Sequence, residues 1–404
     1  MNILFLGLGN YHSIKHRGIY LDLLRVFIEH GDEVYIVTSL APESKDQYKL
    51  IEEEHSRILR VRTGRITKAN IIEKGINTIL LEGRYIRAID KHFGNVKFDL
   101  VLYPTPPITF LKVVEHIKKR DNAVSYLMLK DIFPQNAVDI GMMSKSGLKG
   151  IMYRFFRNKE KKLYKVSDHI GCMSQANVDY LIKHNPEIDL AKVEVCPNST
   201  DIEDKSVDEA TRKEIREKYG IPQDKKVFVY GGNLGKPQGI PFLIECLKAA
   251  KDIEDAYFLV VGDGTEYRKL EEYASSADQE NFKLMKRLPK NDYDTMVGAC
   301  DVGMIFLDHR FTIPNFPSRL LSYMSAKLPV LAVTDPNTDV GKVIADNGFG
   351  WWCESRDTED FVRIVKKAID TDTKEMTEIE HKYLIDHYSS VKAYSIICDS
   401  LMRE

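Results

Sequence analysis

The chain has 404 residues, too many for one ordinary domain and suited to two of roughly 150–200 each. Its 58 Lys and Arg nearly cancel 60 Asp and Glu, so the net charge of -2 gives no global reason to expect nucleic acid as a partner. No apolar run approaches the roughly 20 residues of a membrane-spanning helix. The opening MNILFLGLGN lacks the marks of a signal peptide, and the six cysteines are scattered without a CxxC pair, so the reading is a cytoplasmic protein with reduced thiols.

Short runs of Val, Ile, Leu and Phe alternate with longer amphipathic stretches, the pattern of βα units and a parallel sheet. Strands are expected near Asn2–Leu6, Glu33–Thr38, Ile58–Arg62, Asp99–Leu102, Ala123–Leu129, His169–Cys172 and Val193–Cys196. Helices are expected at Gly18–His30, Ile72–His92 and Ile108–Lys119. The segment from Cys196 to Asp201, followed by a charged stretch to Lys218, reads as a crossover between domains. The pattern then restarts, with strands at Lys226–Tyr230, Ala256–Val261, Phe282–Met285, Val302–Phe306, Val330–Val333 and Phe349–Trp352. Intervening helices are expected at Ile240–Ala250, Thr265–Ala274 and Ser318–Ala326, and the chain is helical after Asp357. The expected domains are 1–200, joined by a C-terminal helix crossing back over about 375–404, and 201–374.

Open parallel sheets bind ligands beyond the carboxyl ends of their strands, so the loops there carry the functional reading. Gly7-Leu8-Gly9-Asn10-Tyr11-His12 begins like a dinucleotide fingerprint. His12 stands in place of the third glycine, however, and the next strand ends Val37-Thr38-Ser39 without an acid, which argues against NAD. Gly231-Gly232-Asn233-Leu234-Gly235-Lys236 has the glycines to turn main-chain N–H groups toward a phosphate, and Lys236 adds a charge; a plain surface turn is the alternative. In Val261-Gly262-Asp263-Gly264, Asp263 suits a helix cap as well as a ligand contact. Finally, Asn315-Phe316-Pro317-Ser318-Arg319 leads into a helix, where free N–H groups and Arg319 would suit a diphosphate, while Pro317 is also simply a good helix starter.

Together these segments resemble the GT-B-fold glycosyltransferases of family 4, nearest to a bacterial branch working on surface polysaccharides that includes fucosamine-type transferases. The resemblance rests on Gly7–Gly9, Lys130-Asp131-Ile132-Phe133-Pro134, Pro197-Asn198, Tyr230 to Gly235, Val261 to Gly264, and the run from Pro317 to Val330. It implies two Rossmann-like domains with parallel sheets facing a central cleft, the second holding a nucleotide-sugar and the first meeting the acceptor. Lys236 and Arg319 would neutralise the donor diphosphate, backbone at Arg287 and Leu288 would meet the base, and Gly7–Gly9 would approach the sugar–phosphate side. The implied chemistry retains anomeric configuration with the leaving phosphate as base. It needs no metal and no cofactor, since two cations stabilise the departing diphosphate.

Three positions depart from the family pattern. Its frequent Glu-x7-Glu pair is Pro314 and Ser322 here, leaving Ser322 as a hydroxyl partner for the ribose. Asn233 stands where an Arg is common, and Lys130-Asp131 where a His is common. Asp131 either orients substrate hydroxyls or caps the turn before Pro134. Asp292-Tyr293-Asp294 and Asp370-Thr371-Asp372 match the DxD of metal-dependent transferases but sit where acids favour helix starts. A UDP-sugar 2-epimerase of the same fold and a non-catalytic binding relative are the rival readings. Lys145–Lys165 mixes eight cations with Leu148, Ile151, Met152, Phe155 and Phe156. It reads either as a helix lying on an anionic membrane, beside a lipid-linked or saccharide acceptor, or as a solvated helix packed inward.

Overall fold

The computed structural model describes residues 1–41, 43–64 and 71–403, residues 71–79 by their backbone alone. Glu404, the last residue of the expected C-terminal tail, lies outside them. The chain divides into two compact units, Met1–Asp201 with Ser390–Glu404, and Ile202–Ser389.

The first unit begins β1 (Asn2–Leu6), α1 (Ile19–Glu29), β2 (Glu33–Leu40), β3 (Tyr48–Glu53), β4 (Ser56–Arg62) and α2 (Ile71–Phe93). It continues β5 (Leu100–Thr105), α3 (Leu111–Asp121), β6 (Val124–Leu129), α4 (Gln135–Asp139), α5 (Gly147–Val166), β7 (His169–Cys172), α6 (Gln175–His184) and β8 (Val193–Val195). The eight strands lie in the order β3-β4-β2-β1-β5-β6-β7-β8, all parallel except for the β3–β4 pair. Period-two alternation explains why the sheet is buried on both faces. Ile3 and Phe5 pack with α1, while Leu4 and Leu6 pack with α2 and α3.

The second unit comprises α7 (Glu209–Tyr219), β9 (Lys226–Asn233), α8 (Ile240–Ala249), β10 (Ala256–Asp263), α9 (Tyr267–Ser276), β11 (Phe282–Lys286) and α10 (Lys290–Gly298). Then follow β12 (Val302–Phe306), α11 (Arg319–Ser325), β13 (Val330–Thr334), α12 (Val340–Asp346), β14 (Gly350–Glu354), α13 (Thr358–Asp370) and α14 (Lys374–Tyr388). Its strand order is β11-β10-β9-β12-β13-β14, every pair parallel. In both units the order reverses beside the first strand, β1 or β9, and a glycine loop leaves that strand at its carboxyl end.

One strand is added to the expected set, and one expected boundary is corrected. The first sheet is parallel as expected, but the added strand, β3, pairs antiparallel with β4 at its edge. Half of the Tyr48–Glu53 segment is charged, so its strand character is weak in sequence and comes from pairing with β4. The chain also returns to the first unit at residue 390 rather than about 375. Helix α14 buries Glu380, Leu384 and Tyr388 in the second unit, where it packs against α11. Only α15 (Ser390–Leu401) joins the first unit, setting Ala393 and Ile397 against the α1 face.

Glu380 is fully buried, and neither carboxylate oxygen has a hydrogen-bond partner among the described residues. Burial therefore raises its pKa well above the ordinary carboxylate value. The sign follows: a folded-state pKa above the unfolded one gives stability that is present at low pH and is lost as pH rises. Glu380→Gln should therefore melt with wild type near pH 4 and a few degrees higher at pH 8, a gain of roughly 1–3 kcal/mol. Melting curves at the two pH values check this, and a gap independent of pH would contradict it.

Candidate functional site

In the second unit, the carboxyl ends of β9, β10 and β11 surround a cavity of about 460 Å³. Its lining brings together seven of the residues singled out from sequence: Gly232, Asn233, Gly262, Asp263, Arg287, Leu288 and Ser322. Gly232 has φ +118°, a backbone conformation that favours glycine. At Gly262 the reason is space, since a Cβ there would overlap the carbonyl oxygen of Gly232 on the neighbouring strand. Asp263 does not cap the following helix, whose N-cap is Glu266; its carboxylate instead accepts from the Gly264 amide at 2.8 Å.

Arg319, the first residue of α11, lies beside this lining. A Cβ on Gly232 would stand 3.6 Å from Arg319 Nη2. The guanidinium carbon sits 4.1 Å from the centre of the Tyr230 ring, a cation–π contact with a fully buried aromatic. Burial alone would lower the Arg319 pKa, but Tyr230, Tyr323 and Tyr293 outweigh it and hold the guanidinium above its ordinary value. Tyr323 is anchored in turn: its hydroxyl lies 3.0 Å from the Met304 carbonyl oxygen and accepts from the Gly231 amide at 3.3 Å. Arg319 Nη1 is buried and has no hydrogen-bond partner among the described residues. A charged donor held on an aromatic ring with the N–H groups of Nη1 unspent is chemically a receptor for an anion.

Three lining residues escaped the sequence reading of this site. Tyr293 packs where a side chain on Gly231 would go. Asp294 accepts from Lys205 at 2.6 Å and from Lys290, itself part of the lining, at 2.8 Å. Burial raises the Asp294 pKa, but the two lysines together hold it below its ordinary value. The available signal is Asp292-Tyr293-Asp294, which the sequence offers as a metal motif or a helix start.

Other expected residues stand apart from the cavity lining. Lys236 is exposed at the start of a one-turn 3₁₀ segment, with no ion-pair partner among the described residues. Asn315 uses its carbonyl to accept from Thr338 Oγ1 at 2.5 Å, Phe316 packs 6.0 Å from the Tyr388 ring, and Pro317 leads to the exposed Ser318. Ser318 is the N-cap of α11 but makes no side-chain cap.

Gly7, Gly9 and Asp131 belong to the first unit. The Gly7 amide donates to Val37 at 3.0 Å, its carbonyl accepts from Tyr85 Oη at 2.8 Å, and the Gly9 carbonyl accepts from Thr38 Oγ1. Asp131 lies just before α4, whose N-cap is Pro134, and its Oδ2 accepts from the Asn136 side chain at 2.6 Å. Its Oδ1 is buried with no partner among the described residues, and burial pushes its pKa up to about 6.

Residues 211–383 match the family model described as glycosyl transferases group 1. The chain is 25% identical over 293 residues to the probable glycosyltransferase WbjE of Pseudomonas aeruginosa, covering 72% of this chain and 71% of that one. It is 24% identical over 132 residues to WcaI of Escherichia coli (strain K12), named as a glycosyl transferase of colanic acid biosynthesis, covering 32% and 31% of the two chains. The solved structure of Anabaena HepE with UDP-glucose superposes with a TM-score of 0.71 at 16% identity, covering 100% of both chains. At that identity the likeness is one of fold.

The glycine at 262 offers a test of the site's packing. Gly262→Ala should destabilise the protein by about 1–3 kcal/mol, because a backbone carbonyl must move to admit the methyl group. Gly83→Ala, on an exposed turn of α2 with nothing within 4 Å of the added carbon, should instead stabilise by up to about 1 kcal/mol. Urea denaturation of the two variants against wild type distinguishes them; equal midpoints would contradict the account.

Proposed function

We propose that this protein, whose residues 211–383 match the glycosyl transferases group 1 model and whose fold is that of GT-B structures, is a retaining, metal-independent glycosyltransferase of polysaccharide synthesis. Its donor is a UDP-sugar, an N-acetylated hexose among the candidates, and its acceptor a lipid-linked or free saccharide. The observation that carries this reading is Arg319, a half-buried residue whose buried Nη1 is an unspent donor beside Gly232 and the cavity. In the reaction the bond from the anomeric carbon to the diphosphate breaks as the acceptor oxygen bonds to that carbon. The acceptor's proton passes to the departing phosphate. Negative charge grows on the leaving group, where Arg319 is already in place and needs no reorganisation. Exposed Lys236 supplies a second cation by swinging its flexible side chain, Arg287 and Leu288 meet the base, and Ser322 meets the ribose. Asp131 orients a substrate hydroxyl through the oxygen that the fold leaves unpartnered.

Arg319→Ala should lower turnover by about 100-fold or more, from loss of leaving-group stabilisation. Calorimetry with UDP should show weakened binding in the same variant. Unchanged kinetics and unchanged UDP affinity together would remove Arg319 from the mechanism. Recovery of an epimerised nucleotide-sugar from purified protein would replace the transferase reading by its isomerase rival.

A second reading concerns the membrane. No helix among the described residues is long and apolar enough to cross one. The sequence left α5 with two alternatives, and the exposure of its N-terminal half supports a surface-lying role. Leu148 is 86% exposed, and Ile151, Met152 and Phe155 are exposed on the same face, flanked by exposed Lys145, Lys149 and Arg154. The C-terminal half is differently committed: Lys159 pairs with Glu82 at 3.0 Å and Lys161 with Glu187 at 3.1 Å. We infer that the first half of α5 docks on an anionic leaflet, where each cation contributes about 1 kcal/mol. Replacing Lys145, Lys149 and Arg154 by Glu should weaken binding to phosphatidylserine-containing vesicles by about 100-fold, measured by sedimentation at low salt. Equal binding by the variant would eliminate this role for α5.

A further inference from the structure

Arg60 in β4 is 4% exposed, and no carboxylate among the described residues pairs with it. Its Nη1 lies 2.9 Å from His12 Nδ1, its Nη2 donates to Asn10 Oδ1, and its Nε is buried without a partner. A guanidinium can only donate. His12 Nδ1 therefore accepts, and the ring's own proton sits on Nε2; Asn10 likewise keeps its amide N–H groups free to turn outward. Burial, Arg60, His16 and Lys49 all hold the His12 imidazole below its ordinary pKa, which maintains this neutral tautomer.

The backbone of the same loop is polarised in the same sense. The carbonyls of Gly7, Leu8 and Gly9 accept from Tyr85 Oη, Ser39 Oγ and Thr38 Oγ1. The amides of Leu8, Gly9 and Asn10 donate to none of the described residues. Acceptors are thus consumed and donors remain, over a buried positive charge, at the carboxyl end of β1 where the strand order reverses. A site that offers only donors meets the lone pairs of a sugar hydroxyl but not its proton, whereas an ionised phosphate or carboxylate oxygen only accepts and matches it fully.

We propose that Asn10, His12 and the loop amides, organised by Arg60, form an oxyanion site that selects an acidic acceptor, a saccharide bearing a phosphate or carboxylate group. Calling the ligand an acceptor rests on the transferase reading above; the oxyanion chemistry does not.

Inorganic phosphate is the probe, titrated calorimetrically into Arg319→Ala protein so that the guanidinium of the second unit's site is absent. Binding should weaken by about tenfold or more when Arg60→Gln is added, and also when Asn10→Ala or His12→Ala is added. The last two change exposed side chains and leave Arg60 in place, so they report on the site even if the Arg60 variant fails to fold. Phosphate binding that is absent in the Arg319→Ala protein, or indifferent to all three changes, overturns the proposal. UDP titrated into Arg60→Gln protein with Arg319 intact separates the sources of the anion. Unchanged UDP affinity assigns the site to the acceptor; an about tenfold loss assigns it to the donor diphosphate and overturns the acceptor assignment. A wild-type protein that does not bind UDP at all would instead defeat the transferase reading and leave the phosphate result standing.

Discussion

A guanidinium lying on a tyrosine ring organises the candidate site of the second unit. Arg319 begins α11 and Tyr230 lies in β9, nearly ninety positions away in the chain. They meet because β12, which precedes α11, is the neighbour of β9 in the sheet. The tyrosines stabilise the charge while leaving Nη1 without a hydrogen-bond partner among the described residues. The glycines of the adjoining loop follow from the same packing: a side chain at Gly231 would occupy the space of Tyr293, and the Gly262 position abuts the Gly232 backbone. Glycine is thus required here by contact between neighbouring strands as well as by any approach of a ligand.

The first unit meets a comparable problem differently. Its buried cation, Arg60, has no aromatic seat among the described residues and is hydrogen-bonded to the acceptor atoms of Asn10 and His12. Three side chains from β2 and α2 hold the loop carbonyls, so the loop's hydrogen-bonding polarity is set from beneath. Both arrangements place a basic group near the carboxyl end of the first strand of a reversed strand order. Recurrence of that layout follows from the geometry of open parallel sheets, in which only those loops can approach a ligand from the crevice the order reversal creates.

Helix α5 shows how one sequence pattern can serve two purposes. Cations and apolar residues run along its whole length, yet the half near Lys159 is ion-paired and packed while the half near Leu148 is exposed. Most of the apolar residues gather in the first half and most of the cations in the second, and the neighbours each half meets decide which part is buried.

The elements and the candidate loops were legible in the sequence because they are set by short-range physics. Alternating apolar residues dictate strands buried on both faces, and glycine clusters mark turns after them. The order of these signals along the chain was enough to indicate two Rossmann-like units and to single out Gly232 and Gly262; the family resemblance added Arg287 and Ser322, and the fold brings all four to one cavity. Tyr293 and Asp294 were not legible as site residues, because a tyrosine packed against a distant glycine leaves no local trace. The same holds for Arg60, an ordinary strand residue in sequence, and for Glu380, whose burial depends on the helix packed over it. By itself, then, the sequence determined which segments become strands, helices and ligand-facing turns. Only the tertiary structure decided which charges lie buried without an opposite partner, since that depends on neighbours dozens of residues away and on how much water each contact excludes.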